Sequence, residues 1–164
     1  MTVTDEDIGQ VRQRASATLQ RLVDRVDAAM DQARQTDDAE LEKRYEEGRA
    51  RLVDERYAEA LDLFAEIVQA RLLEPRYLFA FGLCLQHFGQ IQKAMEYFGA
   101  AYALDASDAA AAYRLGECFY ALGHDDDARE ALQIAVTLCA LPENDPNVRL
   151  LATQLLDTLA QAGG

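Results

Sequence analysis

Three cysteines, two histidines and one run of aspartates are the groups of this 164-residue chain with obvious covalent or metal chemistry in them. A thiolate beside an imidazole makes a nucleophile, and closely spaced Cys, His and Asp hold metals. The spacing supplies neither arrangement. Cys84, Cys118 and Cys139 form no C-x-x-C, and His87 and His124 stand 37 residues apart. There is no H-E-x-x-H and no glycine-rich phosphate loop. Asp125, Asp126 and Asp127 read as the opening of a helix, where they cap it and complement its dipole. They lack a loop to curl their oxygens around calcium. The expectation is a non-enzyme with no cofactor and no metal. Cys84 and Cys118 have another property, a separation of 34 residues, and read as small buried apolar side chains.

That separation recurs. Gly48, Gly82 and Gly116 are spaced by 34, as are Ala60, Ala94 and Ala128. So are Phe64, Phe98 and Leu132, and so are Tyr45, Phe79 and Tyr113. A glycine inside a helix costs about 1 kcal/mol relative to alanine, so a repeated one needs a structural reason. Close packing of two crossing helices is such a reason, and Ala94 is expected to face Gly82 across the crossing. A 34-residue period with small residues at fixed places is the tetratricopeptide signature, two antiparallel helices per unit. Three units follow, at 41–74, 75–108 and 109–142. Gly89 and Gly123 end the first helix of their units, where a left-handed residue is needed. The first unit has Glu55 there, a less favourable turn.

The flanks are also helical. Ile8, Val11, Ala15, Leu19, Leu22, Val26, Met30 and Ala33 recur every three or four residues, which predicts an amphipathic helix over about 5–34. Thr4 and Asp7 form its cap, and Thr36–Asp38 breaks it. Residues 1–36 thus form an N-terminal helical region, either a cap on the stack or a dimerisation element, and 37–164 hold the repeats with a last helix at 145–161. Asp145 and Pro146 start that helix, and Val148, Leu151, Leu155 and Leu159 form its apolar face. Repeat arrays need such ends to cover their last apolar surface. The fold class is therefore all-α, a tetratricopeptide-repeat superhelix between two flanking helices.

Composition narrows the partners. Half of the chain is hydrophobic, which excludes a disordered polymer. A formal charge of −13 excludes nucleic acid and an anionic membrane surface as partners. No apolar run reaches the length of a membrane span. The opening M-T-V-T-D-E-D-I lacks the basic start and apolar core of a signal peptide, so retention where the protein is made is expected. Three cysteines without a framework fit a reducing cytosol.

In stacked repeats the first helices line the concave side. The inward places of each unit hold Glu42, Tyr45, Arg49, Leu52 and Val53, then Arg76, Phe79, Leu83, Gln86 and His87, then Ala110, Tyr113, Glu117, Tyr120 and Ala121. Tyr45, Phe79 and Tyr113 make a ladder of rings, which serves either the core or a groove that takes an extended peptide. A clamp for the carboxylate tail of heat-shock proteins is not expected. Such a clamp needs groove lysines and asparagines, and the asparagines here are Asn144 and Asn147, outside the row.

Three stretches carry a more specific likeness: Tyr57–Phe64 (Y-A-E-A-L-D-L-F), Glu74–Gln90 (E-P-R-Y-L-F-A-F-G-L-C-L-Q-H-F-G-Q) and Gly116–Gly123 (G-E-C-F-Y-A-L-G). With the flanking helices they resemble the tetratricopeptide class II chaperones of type III secretion systems, the SycD/LcrH family. The resemblance implies a cytosolic protein of a Gram-negative bacterium. It implies that hydrophobic translocator proteins are held soluble and secretion-competent, an extended segment of each lying in the concave groove. It implies a homodimer through the N-terminal helix and first repeat. It makes Tyr45 a groove aromatic, with Tyr77 and Phe79 as further matches. Arg49 and Leu52 depart from the family, which often has aromatics there, so the first pocket differs. The other reading is a tetratricopeptide adaptor joining soluble, folded partners.

Overall fold

The computed structural model describes residue 17, residues 20–31 and residues 38–162. After a helical stretch at 20–31, seven helices follow. They are α1 (Asp38–Val53), α2 (Tyr57–Ala70), α3 (Pro75–His87), α4 (Ile91–Leu104), α5 (Ala109–Ala121), α6 (Asp125–Leu138) and α7 (Pro146–Ala162). The described residues contain no strand. The fold is an all-α tetratricopeptide superhelix: α1/α2, α3/α4 and α5/α6 are hairpins, each stacks on the next, and α7 closes the array against α5 and α6.

The hairpin turns repeat one device. The backbone N–H groups of Arg56, Gln90 and His124 donate to the carbonyls of Arg51, Leu85 and Phe119, at 2.8, 2.9 and 2.9 Å. Each such bond needs a left-handed residue just before its donor. Gly89 and Gly123 supply it at φ +72° and +77°, while in the first hairpin Glu55 holds φ +59°, where a side chain is strained.

The repeated helix-interior glycines answer to large side chains of the second helix rather than to alanine. A Cβ on Gly48 would stand 2.7 Å from Phe64, one on Gly82 would stand 2.7 Å from Phe98, and one on Gly116 would stand 2.6 Å from Leu132. All three large side chains are fully buried. The expected partner of Gly82 was Ala94. Ala94 is buried too, yet the group that fills the glycine's space is the Phe98 ring. The alanine keeps the backbones close, and the glycine lets the next large side chain of the second helix fill the gap.

The caps differ from expectation in one place. Asp125–Asp127 occupy the first turn of α6 and favour its dipole, but His124 is the capping residue and no side chain makes the cap bond. Asp108 does cap α5, accepting from Ala110 and Ala111. Asp145 accepts from the Asn147 N–H at 2.8 Å and starts α7 as its sequence implies. Of the N-terminal helix, 20–31 are helical, and Ile8, Val11, Ala15, Leu19 and Ala33, the Thr4/Asp7 cap and Thr36 lie outside the described residues. Within 20–31, Leu22, Val23 and Met30 are exposed, while Val26 and Ala29 are half-buried. Arg25 reaches the Tyr97 hydroxyl at 3.4 Å.

Candidate peptide-binding groove

Helices α1, α3 and α5 lie side by side, as side chains crossing from one to the next show. Arg76 of α3 grips Glu42 of α1 through both terminal nitrogens, at 3.3 and 3.1 Å. Gln86 of α3 donates to Glu117 of α5 at 3.2 Å. These side chains belong to the row read from the repeat register, and the row has two different ends.

At the first end Tyr45 is half-buried. Its ring stands 5.2 Å from Tyr77 and 6.1 Å from Phe64, with the Arg76 guanidinium 5.0 Å above it and that of Arg49 at 5.9 Å. Burial pushes its phenol above the ordinary range. Tyr77 is only 5% exposed, so it backs Tyr45 rather than facing the groove. Arg76 also bonds Glu74 at 3.1 Å, and these two carboxylates hold its guanidinium firmly protonated. Arg49 is exposed and bonded to Glu46. Leu52 packs at the margin of the first core cluster. In the middle of the row Phe79 and Leu83 are half-buried, Phe79 with its ring 5.5 Å from Phe98.

At the other end the groups are more enclosed. Tyr113 is 8% exposed and belongs to the core against α7. Its hydroxyl donates to Glu117 at 2.7 Å, and burial first, that bond second, push its phenol well up. Glu117 also accepts from Arg114 at 2.8 Å and from Gln86, so its charge is neutralised and both oxygens are engaged. Tyr120 is exposed at the rim. The ladder is thus uneven: Tyr45 and Phe79 offer ring surface, while Tyr113 offers its polar edge. His87 leaves the row. Its ring stacks on Tyr57 at 3.5 Å and 13°, at the hairpin-turn edge of the stack.

Sequence reasoning missed two contributions. One is Arg114, which neighbours the row in register and supplies the cation for Glu117. The other is α7, which places Leu151, Gln154, Leu155 and Thr158 beside Gln86, Tyr113, Glu117 and Tyr120 around an open depression of about 470 Å³. Leu151 was expected on the buried face of α7. It is 43% exposed, and Ala152 with Leu159 does the sealing. Another residue outside the row, Asn144, fixes where α7 begins. Its amide accepts from Ala109 N–H at 2.9 Å and donates to the carbonyls of Ser107 and Leu138 at 2.9 and 3.0 Å.

Chemically the row offers half-exposed rings and charges that are already paired. The arginines on it are already paired, Arg49 with Glu46, Arg76 with Glu42 and Glu74, and Arg114 with Glu117. An acidic tail would therefore have to displace internal partners. The described residues contain no cluster of three metal-ligating side chains. Cys84 and Cys118 are fully buried, and burial pushes both thiols up to about 11, which leaves them protonated and inert at neutral pH.

Stacked helical hairpins of one period define the class, and family models agree: two tetratricopeptide-repeat models match residues 45–109 and 85–155. The chain belongs to the tetratricopeptide-repeat proteins. Among solved structures it is similar to PcrH, known from Pseudomonas aeruginosa, in complex with the chaperone-binding region of PopD. That match has a TM-score of 0.73 at 20% identity over 79% of this chain and 97% of the other. It is similar to the Yersinia enterocolitica type III secretion chaperone SycD with a peptide of the translocator YopD, at TM-score 0.69, 20% identity, and 79% and 98% coverage. It is also similar to the first tetratricopeptide domain of Spaghetti bound to the HSP90 peptide SRMEEVD, at TM-score 0.67, 22% identity, and 77% and 95% coverage. At these identities the likeness is one of fold. A sequence search of curated proteins finds no match.

Proposed function

We propose that this protein is a class II chaperone of a type III secretion system. It works in the cytoplasm of a Gram-negative bacterium and holds hydrophobic translocator proteins soluble until export. The observation that carries the reading is the groove itself. Half-exposed rings at Tyr45 and Phe79 lie beside apolar Leu83, within a set of charges that are already paired. Such a surface suits an extended apolar segment, held by side chains dropping between the helices. The same fold carries translocator segments in PcrH and SycD, which supports the assignment. No helix among the described residues is long and apolar enough to cross a membrane. The exposed Leu22, Val23 and Met30 provide an apolar ridge for a homodimer contact. No catalytic role is proposed.

The competing reading is an adaptor for soluble partners, and the HSP90-peptide complex of the same fold keeps it in view. Co-expression with the hydrophobic translocators of the same bacterium separates the two. The chaperone moves a translocator from the pellet to the soluble fraction, whereas an adaptor leaves its partner's solubility unchanged. In the double variant Tyr45→Ala/Phe79→Ala the rescue should fall by roughly tenfold or more, since such anchors contribute about 2 kcal/mol each. Tyr113 is left intact there because its burial would confuse loss of binding with loss of fold. Rescue undiminished by the double variant, at unchanged helicity, would move the site off the groove.

A further inference from the structure

We propose, resting on the groove reading above, that the depression between α5 and α7 is a second anchor subsite for the same cargo segment. It takes an aliphatic side chain about five or six residues along the strand from the one seated at Tyr45 and Phe79. Three observations lead there. The first is the character of the depression. Its floor is polar but satisfied, because Glu117 holds three donors, the Arg114 cation among them. Nothing there demands a charged ligand. Its exposed lining pairs apolar Tyr120, at 39% exposure, and Leu151, at 43%, with polar Gln154 and Thr158, and half-buried Leu155 adds to the apolar part.

The second observation is that capping does not explain Leu151. The helix is seated by Ala152 and Leu159, both fully buried. Leu150, at 58%, is exposed as well, but it does not line this depression and counts as an ordinary surface leucine. The third is continuity. Gln86 stands in the groove row on α3 and also lines the depression. Packed helices sit roughly 8–10 Å apart, so the seam between α1 and α3 and the seam between α5 and α7 are about 16–20 Å apart. An extended strand advances about 3.3 Å per residue and covers that span in five or six residues. The occupant is therefore one continuous strand with an apolar anchor near each end, crossing the hydrogen-bonded Gln86 and the Arg114–Glu117 pair between them.

The test uses overlapping twelve-residue peptides from the translocator that the co-expression experiment solubilises, labelled for fluorescence anisotropy. Leu151→Asp should weaken the bound peptide roughly tenfold, and Leu150→Asp should leave it within about twofold. Both positions are exposed, so the melting curves of the variants should overlay that of the parent. A peptide shortened to end before the second anchor should bind the parent about as weakly as the full peptide binds Leu151→Asp, and should ignore that substitution. If Leu151→Asp keeps full affinity while Tyr45→Ala/Phe79→Ala abolishes it, the second subsite is wrong and the groove stands. If neither variant affects a peptide that does bind, both the subsite and the groove reading fall.

Discussion

The first and third hairpins, α1/α2 and α5/α6, share register, glycine and turn, yet they are sealed in opposite ways. The third begins with a capped, alanine-rich helix in which Ala109, Ala111, Ala112 and Tyr113 are buried, and α7 lies over it with Leu159 and Ala152 fully enclosed. The first begins with L-E-K-R-Y-E-E-G-R, of which only Leu41 and Gly48 are buried. Its charges satisfy one another across the surface, Arg44 with Glu40 and Glu66, Arg51 with Glu59, and Arg76 with Glu42. Exposed pairs of this kind contribute about 0–1 kcal/mol each, against about 1.5–3 kcal/mol for each large apolar side chain buried. The stretch 20–31 reaches the second helices of the first two hairpins and leaves a cavity of about 250 Å³ beside Val68, Phe81 and Tyr97. Both end hairpins have a packed second helix, Phe64 and Ile67 at one end and Leu132 at the other, but the first helix is covered by packing at one end and by surface polar contacts at the other. The repeat specifies the scaffold, and each end is then adapted by what covers it.

The sharpest way to break this contrast is to insert a side chain at the shared glycine. Gly116→Val should cost about 3 kcal/mol, at the upper end for an overpacked core. Its Cβ meets the Leu132 Cγ branch atom at 2.6 Å, with the Ala128 carbonyl oxygen at 3.5 Å. Gly48→Val should cost less, because the obstacle is the far edge of the Phe64 ring and the hairpin around it is more loosely covered. Urea titrations of the two variants measure both. Equal losses would mean that the first hairpin is as rigid as the third. Next in size is Asn144→Ala, which removes the partners of Ala109 N–H and of the Ser107 and Leu138 carbonyls. A loss of about 2 kcal/mol is expected. Amide exchange should quicken in α7 and at the start of α5 and stay unchanged in α1. Uniform quickening would show that the two ends unfold as one.

The same contrast marks how far the sequence could be read. The 34-residue period was legible because buried glycines, alanines and rings must recur wherever identical hairpins cross. The pairing of Gly82 with Phe98 was not legible, since Ala94 and Phe98 share the period equally and only backbone geometry decides which one fills the gap. Which side chains share one helix register was legible from the repeat. The depth of the rings among them was not, because depth depends on neighbours from outside the register: α7 buries Tyr113, whereas Arg76 only shades Tyr45. For the same reason Leu151 was misplaced on a sealed face. Asn144 carried no signal at all, since a loop asparagine reveals its partners only when the chain is folded.

A smaller effect sharpens the comparison through pH. Cys84 and Cys118 recur in the second and third hairpins, and the first has Ala50 in that place. Burial raises both thiols to about 11 from an ordinary 9.0, so the fold favours the neutral thiol. That contribution is complete below about pH 9 and is lost as the pH rises toward 11, by about 1–3 kcal/mol per thiol. Under reducing conditions the denaturation midpoint should therefore fall across this window. Cys84→Ala/Cys118→Ala should flatten the fall, leaving the part owed to Tyr45, Tyr77 and Tyr113, whose phenols burial also raises. An undiminished fall in the double variant would assign the alkaline loss to the tyrosines alone.

The smallest change concerns the turn. Glu55 holds φ +59° where Gly89 and Gly123 hold +72° and +77°. For a residue with a side chain, a left-handed backbone costs about 1–2 kcal/mol, offset in part by glycine's larger entropy when unfolded. Glu55→Gly should accordingly stabilise the protein by about 0.5–1 kcal/mol, read as a rise in melting temperature. Gly123→Ala should destabilise it by a similar amount. A Cβ there meets nothing within 4 Å, so the backbone conformation is the whole of its cost. The two substitutions exchange the turns of the first and third hairpins, and if turn strain is what separates them the shifts should be opposite in sign and comparable in size. A Glu55→Gly variant that gains nothing would mean that the glutamate recovers its strain through contacts of its own, and the first hairpin would then owe its looser hold to its cover alone.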